Sequence, residues 1–384
     1  MSRLWLVRRA RFWAAAIAVS CGVGEASAAV LYSANFNAAG DSAGWSVNKA
    51  GATAASPNNV PVAADRQGAA FGWDYSTLGI PAAPGNAPTD TFGLRLRANV
   101  SGGDATPNAN RQPGSISGLS VSPTGQNFGA SYKLTFYAWA NYFGESSTGA
   151  APNGLGDSFN SSGGTFNVLA AVGTSGSAAM VAGAATSVAV GASMDGVGFA
   201  TINDRGDPGN YVRVYAASNT ATTAGTNPAV VYAAGNTGAA QQIGNTYYTS
   251  MPGFGGQAAP GVQQSIATAE SAANAAGVMA GTTEAGAFGF AWRKVEIEKL
   301  ANSITWTVDG KLWATVDASA LSLGGNNIAL GTSDVNASSA RFPSLAFTVF
   351  DNLVVESIPE PSTAVLAAVS MGMMGLCSRR RRCA

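Results

Sequence analysis

The chain has 384 residues, of which 46% are hydrophobic and only 11% are charged, and glycine alone occupies 48 positions. This composition is typical of turn-rich β structure and excludes a mainly helical protein. Histidine is absent, which removes the commonest general base and most zinc sites, and the body between the basic ends is mildly acidic, which argues against nucleic-acid binding.

The N-terminus has the pattern of a secretory signal peptide. The basic start MSRLWLVRRARFW precedes the apolar run AAAIAVSCGVG and the small residues Ala26–Ala28. Residues 1–28 are therefore predicted to be a signal peptide cleaved after Ala28, so that the rest of the chain is exported. Lipidation at Cys21 is one alternative, because AVSC loosely resembles a bacterial lipobox. An uncleaved anchor is the other, although the apolar run is short for that role.

The body, residues 29–357, contains a series of short runs with β periodicity. They are rich in Val, Phe, Tyr, Trp and Thr, alternate apolar with polar residues, and are bounded by Gly, Asn, Asp or Pro. We therefore predict one all-β domain, a sandwich of two antiparallel sheets. The Ala/Gly-rich middle, 175–281, predicts long loops and weak edge strands, with a short surface helix within 263–280. The strand-like runs are VLYSANFNA, TFGLRLRANV, YKLTFYAWANYF, GTFNVLAAVG, YVRVYAA, FGFAWRKVEIEKL, SITWTVDGKLWATVD, NIALGTSD and LAFTVFDNLVVES.

Several aromatic residues are candidates for stacking on sugar rings. Trp73 and Tyr75 lie in the loop-like stretch FGWDYSTLG and are the better surface candidates, and Trp139 and Tyr142 follow in YKLTFYAWANYF. Aromatic platforms bind carbohydrate by burying the apolar faces of its rings. The alternative is that aromatic residues on alternating strands belong to the core, as we predict for Trp306.

Oxygen-bearing side chains cluster at two places. Asp204 and Asp207 lie among glycines in INDRGDPGN, and Asp334 and Asp351 lie in later loops or strand ends. Hard oxygen ligands on a turning backbone suit a structural calcium ion. The alternative is that these side chains form turns and bind backbone groups.

One pair of carboxylates raises the question of catalysis. Glu296 and Glu298 are two residues apart in VEIEK, so on a strand they share one face. Paired carboxylates are what glycoside hydrolysis requires. The alternative is a solvated strand face, since lysines flank the pair, and no catalytic residue is otherwise predicted.

The strongest local signal is the pair Asp309-Gly310, which separates two runs of alternating apolar and polar residues and predicts a β-hairpin. The stretch ITWTVDGKLWATV around it, followed by NIALGTSDVNAS and FTVFDNLVV, resembles the end of concanavalin A-like jelly rolls. GLRLRANV, GTFNVLAAVGTSG and GFAWRKVEIEK resemble uncharacterised exported jelly-roll proteins. The resemblance implies a lectin/glucanase-type sandwich but does not imply a particular activity, because proteins with that fold have many different activities.

The C-terminal segment, 358–384, has three parts in order. Pro359-Glu360-Pro361 breaks regular structure, the apolar run 363–378 is just long enough to span a membrane, and a cluster of arginines follows. The segment resembles the PEP-CTERM sorting signal of Gram-negative bacteria, which implies recognition by an exosortase, removal of the tail, and release to the cell surface or an exopolysaccharide matrix. A plain membrane anchor is the alternative. The arginines are Arg379, Arg380, Arg381 and Arg382.

The sequence as a whole favours an exported surface or matrix protein. Its expected role is non-catalytic, either binding carbohydrate or contributing to the structure of an exopolysaccharide layer, with no cofactor other than a structural calcium ion. A divergent glycoside hydrolase that uses Glu296 and Glu298 is the alternative from another functional class.

Overall fold

The computed structural model forms an all-β sandwich, and residues 29–358 make one compact unit. The structure describes residues 28–50, 68–97, 118–141, 167–178, 195–202, 212–215, 229–235, 245–274, 282–283, 285–333 and 343–358. Within these ranges the strands are β1 Val30–Ala34, β2 Trp45–Ala50, β3 Gly68–Asp74, β4 Phe92–Arg97, β5 Gly118–Pro123, β6 Ser131–Ala140, β7 Asn167–Thr174, β8 Val197–Ile202, β9 Val212–Tyr215, β10 Val230–Tyr232, β11 Trp292–Leu300, β12 Ser303–Val308, β13 Lys311–Asp317, β14 Asn327–Ser333 and β15 Thr348–Ser357.

The described strands form two antiparallel sheets. The nine-stranded sheet has the order β10-β13-β12-β11-β6-β15-β4-β3, with β1 also paired to β15, and the six-stranded sheet has the order β2-β5-β14-β7-β8-β9. Strands that are distant in the chain, such as β6 and β15, are neighbours in the sheet. This confirms the predicted jelly-roll sandwich of two antiparallel sheets.

The core lies between the two sheets, and successive side chains of the central strands point alternately into it and away from it. On β6, Leu134 and Phe136 are completely buried, and on β11 Ile297 is too. The intervening side chains of these strands are partly exposed. We call the side of the nine-stranded sheet that faces away from the core its outer face.

The hairpin between β12 and β13 has the predicted two-residue turn. Val308 pairs with Lys311 across it, and the two turn residues, Asp309 and Gly310, have φ angles of +48° and +77°. Positive φ at both positions matches the turn twist that antiparallel strands favour. Trp306, just before the turn, is 2% exposed, which confirms its prediction as a core residue.

In the chain between β10 and β11, the described residues 245–274 pack against β13. They include α1 Thr246–Thr249 and α2 Gly261–Asn274, and α2 confirms the predicted short helix, which begins two residues earlier than expected. Tyr248 lies edge-on to Trp313 with their ring centroids 5.1 Å apart. Within the described residues no helix is both long and apolar enough to cross a membrane.

Candidate functional site

The outer face of the nine-stranded sheet carries the polar side chains that sequence analysis identified. Trp292 to Leu300 of β11 pairs with Trp139 to Ser131 of β6 without a break, and β12 pairs on the other side of β11. Every second residue of each of the three strands therefore lies on the same face, beside its counterparts on the neighbouring strands. We call this set the outer strip: Lys133, Thr135, Tyr137, Lys294, Glu296, Glu298, Thr305 and Thr307, each of them partly or fully exposed.

Glu296 lies at the centre of the outer strip between two lysines. Its Oε1 is 2.6 Å from the Nζ of Lys133 on β6 and 3.1 Å from the Nζ of Lys294 on its own strand. The carboxylate is 16% exposed, while the lysine side chains are 35% and 41% exposed. The ammonium groups are therefore held in place on a surface that solvent reaches, with donors left over for another molecule.

The electrostatics of Glu296 suit an anion that stays charged. Partial burial by itself raises the pKa of Glu296, but hydrogen bonds and charges from Lys133 and Lys294 outweigh it and lower the pKa below the usual value. Glycoside hydrolysis needs one carboxylic acid that is still protonated near neutral pH. The predicted common face of Glu296 and Glu298 is present, but the environment of Glu296 does not favour that acid role.

A second polar group on the outer face, which we call the Asp351 cluster, consists of Tyr75, Asn86, Asp351 and Asn352. Tyr75 and Asp351 are completely buried, and the two asparagines are half-buried. The Oδ2 of Asp351 accepts hydrogen bonds from the Tyr75 hydroxyl and from Asn86 Nδ2, both at 3.0 Å. Its Oδ1 accepts the backbone N–H of Asn352 at 2.7 Å. Asn352 Nδ2 in turn donates to the side-chain oxygen of Asn86 at 2.7 Å. The segment after β3 is thereby tied down over the centre of the sheet.

Among the carboxyl groups that the structure describes, Asp351 has the pKa raised most above its usual value. Burial raises the pKa of Asp351 to about 7, against the hydrogen bonds from Asn352, Tyr75 and Asn86 that lower it. The groups that face its oxygens are N–H and O–H donors, whereas calcium requires six to eight oxygen ligands. Among the described residues no group of three or more metal-ligating side chains occurs. Asp334, which the sequence placed in the same oxygen cluster, lies outside the described residues, so calcium binding at Asp351 stays a prediction.

The predicted sugar-stacking residues are placed differently from one another. Tyr75 is completely buried and Trp139 is 3% exposed, so the expected surface position of Tyr75 is corrected. The reason is that Tyr75 packs edge-on against Trp292, at 5.3 Å between ring centroids, under the segment that follows β3. Trp73 is only partly buried, and its role in binding sugar stays a prediction.

The cross-strand partner of Glu296 was not visible in the sequence, whereas Lys294 was visible as a flanking lysine. Lys133 and Tyr137 are far from β11 in the chain, and only the pairing of β6 with β11 brings Lys133 into contact with Glu296 and Tyr137 opposite Lys294. The alternation of β6 was a usable signal for which of its residues face outward. No sequence signal showed which strand would be its neighbour.

Several predicted site residues lie outside the described part of the chain. They are Tyr142, Asp204, Asp207, Asp334, the signal peptide up to residue 27, and the sorting-signal residues Pro359, Glu360, Pro361 and Arg379–Arg382. The calcium prediction at the three aspartates and the glycan prediction at Tyr142 stay predictions.

Comparison with protein families identifies the tail. The PEP-CTERM protein-sorting motif matches residues 357–382, which confirms the motif where the sequence predicted it. The motif marks an exported protein with a C-terminal sorting tail and is a substrate signal for exosortase. No curated protein matches the chain.

Solved structures that resemble the chain share little sequence with it. A protein of unknown function with a galectin-like fold from Bacillus subtilis has 9% identity, covering 86% of this chain and 98% of its own, with a TM-score of 0.40. An alginate lyase from a Chlorella virus has 10% identity over 86% and 100% of the two chains, with a TM-score of 0.35. A family 16 endo-glucanase from Bacteroides ovatus has 8% identity over 85% and 100%, with a TM-score of 0.33. These similarities assign neither an activity nor a substrate.

Proposed function

We propose, from the premise that this chain is an exported protein with a PEP-CTERM sorting tail, that its sandwich binds carbohydrate outside the cell through the outer strip. The observation that carries the proposal is the Lys133–Glu296–Lys294 arrangement beside Tyr137 on a solvent-facing sheet. Glycans are recognised by a few fixed polar groups beside an aromatic surface. The outer strip supplies both without any catalytic step.

The chemistry of the outer strip supports a polar, ring-shaped ligand. Lysine ammonium groups donate, carboxylates accept, and threonine hydroxyls do both, which matches the mixed demands of sugar hydroxyls. The three strands that carry the strip span roughly 10 Å across the strand direction, so several of these groups can contact one oligosaccharide together. Tyr137, which is partly exposed on the same face, supplies an aromatic ring beside these polar groups.

The setting supports an exopolysaccharide as the source of the glycan. An exosortase substrate leaves the inner membrane on its outer side, so the sandwich meets polymers of the cell surface or matrix rather than cytoplasmic metabolites. The final location and this partner are part of the proposal.

The test is binding of the purified full chain to a broad glycan array, repeated with Tyr137→Ala and Glu296→Gln. Both variants should weaken binding to the same glycans, whereas Lys49→Gln, on the other sheet and exposed, should leave it unchanged. Binding that survives both substitutions, or the absence of any bound glycan, contradicts the proposal. Hydrolysis of a polysaccharide that Glu296→Gln abolishes would favour the hydrolase alternative instead.

A further inference from the structure

Arg95 stands on the outer face of β4, away from the outer strip, in an unusual setting for a cation. It pairs in register with Val349 of β15, whose own neighbour on the other side is Trp139 of β6. Its guanidinium carbon lies over the ring of Trp73 on the edge strand β3, 4.5 Å from the ring centroid. Trp73 in turn packs edge-on against Phe347, at 5.1 Å between centroids. The guanidinium is therefore held against an aromatic ring that itself packs on a core residue.

Among the described residues, none balances the positive charge of Arg95. In the ranges that the structure describes, no carboxylate lies within ion-pair distance of Arg95, and its Nε is buried without a hydrogen-bond acceptor. Arg97 lies two residues further along the same strand and on the same face. Burial, and after it the positive charge of Arg97, lowers the pKa of Arg95 to about 10, which still leaves the group charged at neutral pH. An anion placed here would relieve both effects.

We propose that Arg95, held on Trp73, binds the carboxylate groups of an acidic polysaccharide. The inference deepens the proposed function, since it names the class of glycan, and it rests on that function for the ligand being a glycan. It uses residues that the outer strip does not contain.

A carboxylated sugar fits this site better than a neutral one. A guanidinium presents its donors in a planar fork that matches a carboxylate in two parallel hydrogen bonds. Stacking on Trp73 holds the fork in one orientation before the ligand arrives, so less conformational entropy is lost on binding. Trp73 remains partly exposed, so an apolar edge lies beside the cation, where the ring of the sugar that carries the carboxylate would pack.

The experiment compares polygalacturonate, a polymer of uronate, with dextran, a neutral glucan, by affinity electrophoresis of the purified full chain at physiological salt. Arg95→Gln should weaken the binding of polygalacturonate about tenfold or more, the loss expected for one charge-assisted hydrogen-bonding group, and should leave any dextran binding unchanged. Lys49→Gln removes one positive charge from the other sheet and should change neither. Arg95→Lys keeps the charge but loses the fork, so its affinity should fall between those of the wild type and Arg95→Gln.

The outcomes separate this inference from the proposed function. If the wild type binds dextran and polygalacturonate equally and Arg95→Gln changes nothing, the inference is overturned while carbohydrate binding stands. If the wild type binds no polysaccharide at all, the proposed function fails and this inference with it. Dextran sulfate and single-stranded DNA serve as two further probes, since both are polyanions without carboxylates. If the wild type binds them as tightly as polygalacturonate, and Arg95→Gln weakens that binding equally, Arg95 is a general anion site and the assignment to carboxylated sugars is overturned. Because Arg95→Lys preserves the stacked cation, it tests the inference even if Arg95→Gln unfolds.

Discussion

The hydroxyl of Tyr75 lies 3.0 Å from Oδ2 of Asp351, although 276 residues separate the two in the chain. The same hydroxyl accepts the backbone N–H of Ala83 at 3.1 Å. One oxygen atom therefore joins the turn after β3, the segment that follows it and the centre of β15. Both residues are completely buried, so the energetics of this contact are those of a low-dielectric site.

Asp351→Asn is expected to flatten the dependence of stability on pH. Burial raises the pKa of Asp351 from 3.8 to about 7, so between these values the folded protein keeps a proton that the unfolded chain releases. The free energy of unfolding therefore falls as the pH rises from about 4 through about 7, by an amount on the order of 2–4 kcal/mol. Urea denaturation of the wild type and the variant at a series of pH values measures it.

Asp317→Asn is the matched control for that experiment. Asp317 is exposed, and hydrogen bonds from Ser319 lower its pKa, so its titration lies below the window in which Asp351 acts. Asp317→Asn should therefore show the same fall in the free energy of unfolding with rising pH as the wild type. If Asp351→Asn shows that fall too, Asp351 does not titrate between about pH 4 and 7.

Tyr75→Phe is expected to destabilise the fold more at high pH than at low pH. It removes the donor to Asp351 and the acceptor of the Ala83 N–H, which should cost about 1–3 kcal/mol for buried groups left without partners. The hydrogen bond from Tyr75 lowers the pKa of Asp351, so its loss raises that pKa further and costs most where Asp351 is ionised. Urea denaturation above and below neutral pH measures the difference.

Tyr247→Phe controls for the loss of a tyrosine hydroxyl as such. Its hydroxyl donates to the backbone oxygen of Leu312 in an exposed contact, so the loss should be within about 1 kcal/mol and independent of pH across the neutral range. If Tyr75→Phe and Tyr247→Phe lose the same free energy of unfolding at every pH, the hydrogen bond from Tyr75 does not affect the titration of Asp351.

Two glycines are expected to tolerate alanine to different degrees. Gly310 has φ +77° with open space around it, so Gly310→Ala should cost only the backbone strain of about 1 kcal/mol. Gly72 has φ +63°, and an added Cβ would lie 2.5 Å from the backbone nitrogen of Ala39, so its cost should exceed about 3 kcal/mol. Gly255→Ala, with neither positive φ nor a close neighbour, is the control. Thermal unfolding should show the smallest loss for Gly255→Ala, a larger one for Gly310→Ala and the largest for Gly72→Ala.

Arg293→Gln is expected to loosen the packing of the segment before β11. Arg293 is 3% exposed, its Nη2 donates to the Gly253 carbonyl at 2.7 Å, and its Nη1 forms an ion pair with Asp309 at 3.2 Å. The guanidinium also stacks on Phe254 at 3.6 Å from the ring centroid. Removing a buried cation with these partners should cost about 3 kcal/mol. Guanidinium-chloride denaturation measures the loss. Lys294→Gln, at the half-exposed neighbouring position, removes only a surface ion pair with Glu296 and should cost less than about 1 kcal/mol. Equal losses in the two variants would contradict the prediction.

The local features of the fold were predictable because each is decided within a few residues. Alternation along β6 and β11 fixed which side chains face the core, and the pair Asp309-Gly310 fixed the hairpin through its positive φ angles. The common face of Glu296 and Glu298 follows from the same period of two. The Pro-Glu-Pro motif was equally legible, since a sorting signal is recognised as a linear segment.

The tertiary structure decided which strands are neighbours, and therefore which side chains meet. Tyr75 has the sequence context of an exposed loop residue, yet contacts from β15 and from the segment around Ala83 bury it. Lys133 reaches Glu296 only because β6 and β11 are paired. The amino-acid sequence by itself determined the period of the strands, the turn chemistry and the C-terminal sorting motif, since these depend on local sterics and short linear patterns. The candidate sites were left to the pairing of distant strands, because the free energy that selects neighbours comes from burial over the whole sandwich rather than from any single stretch of chain.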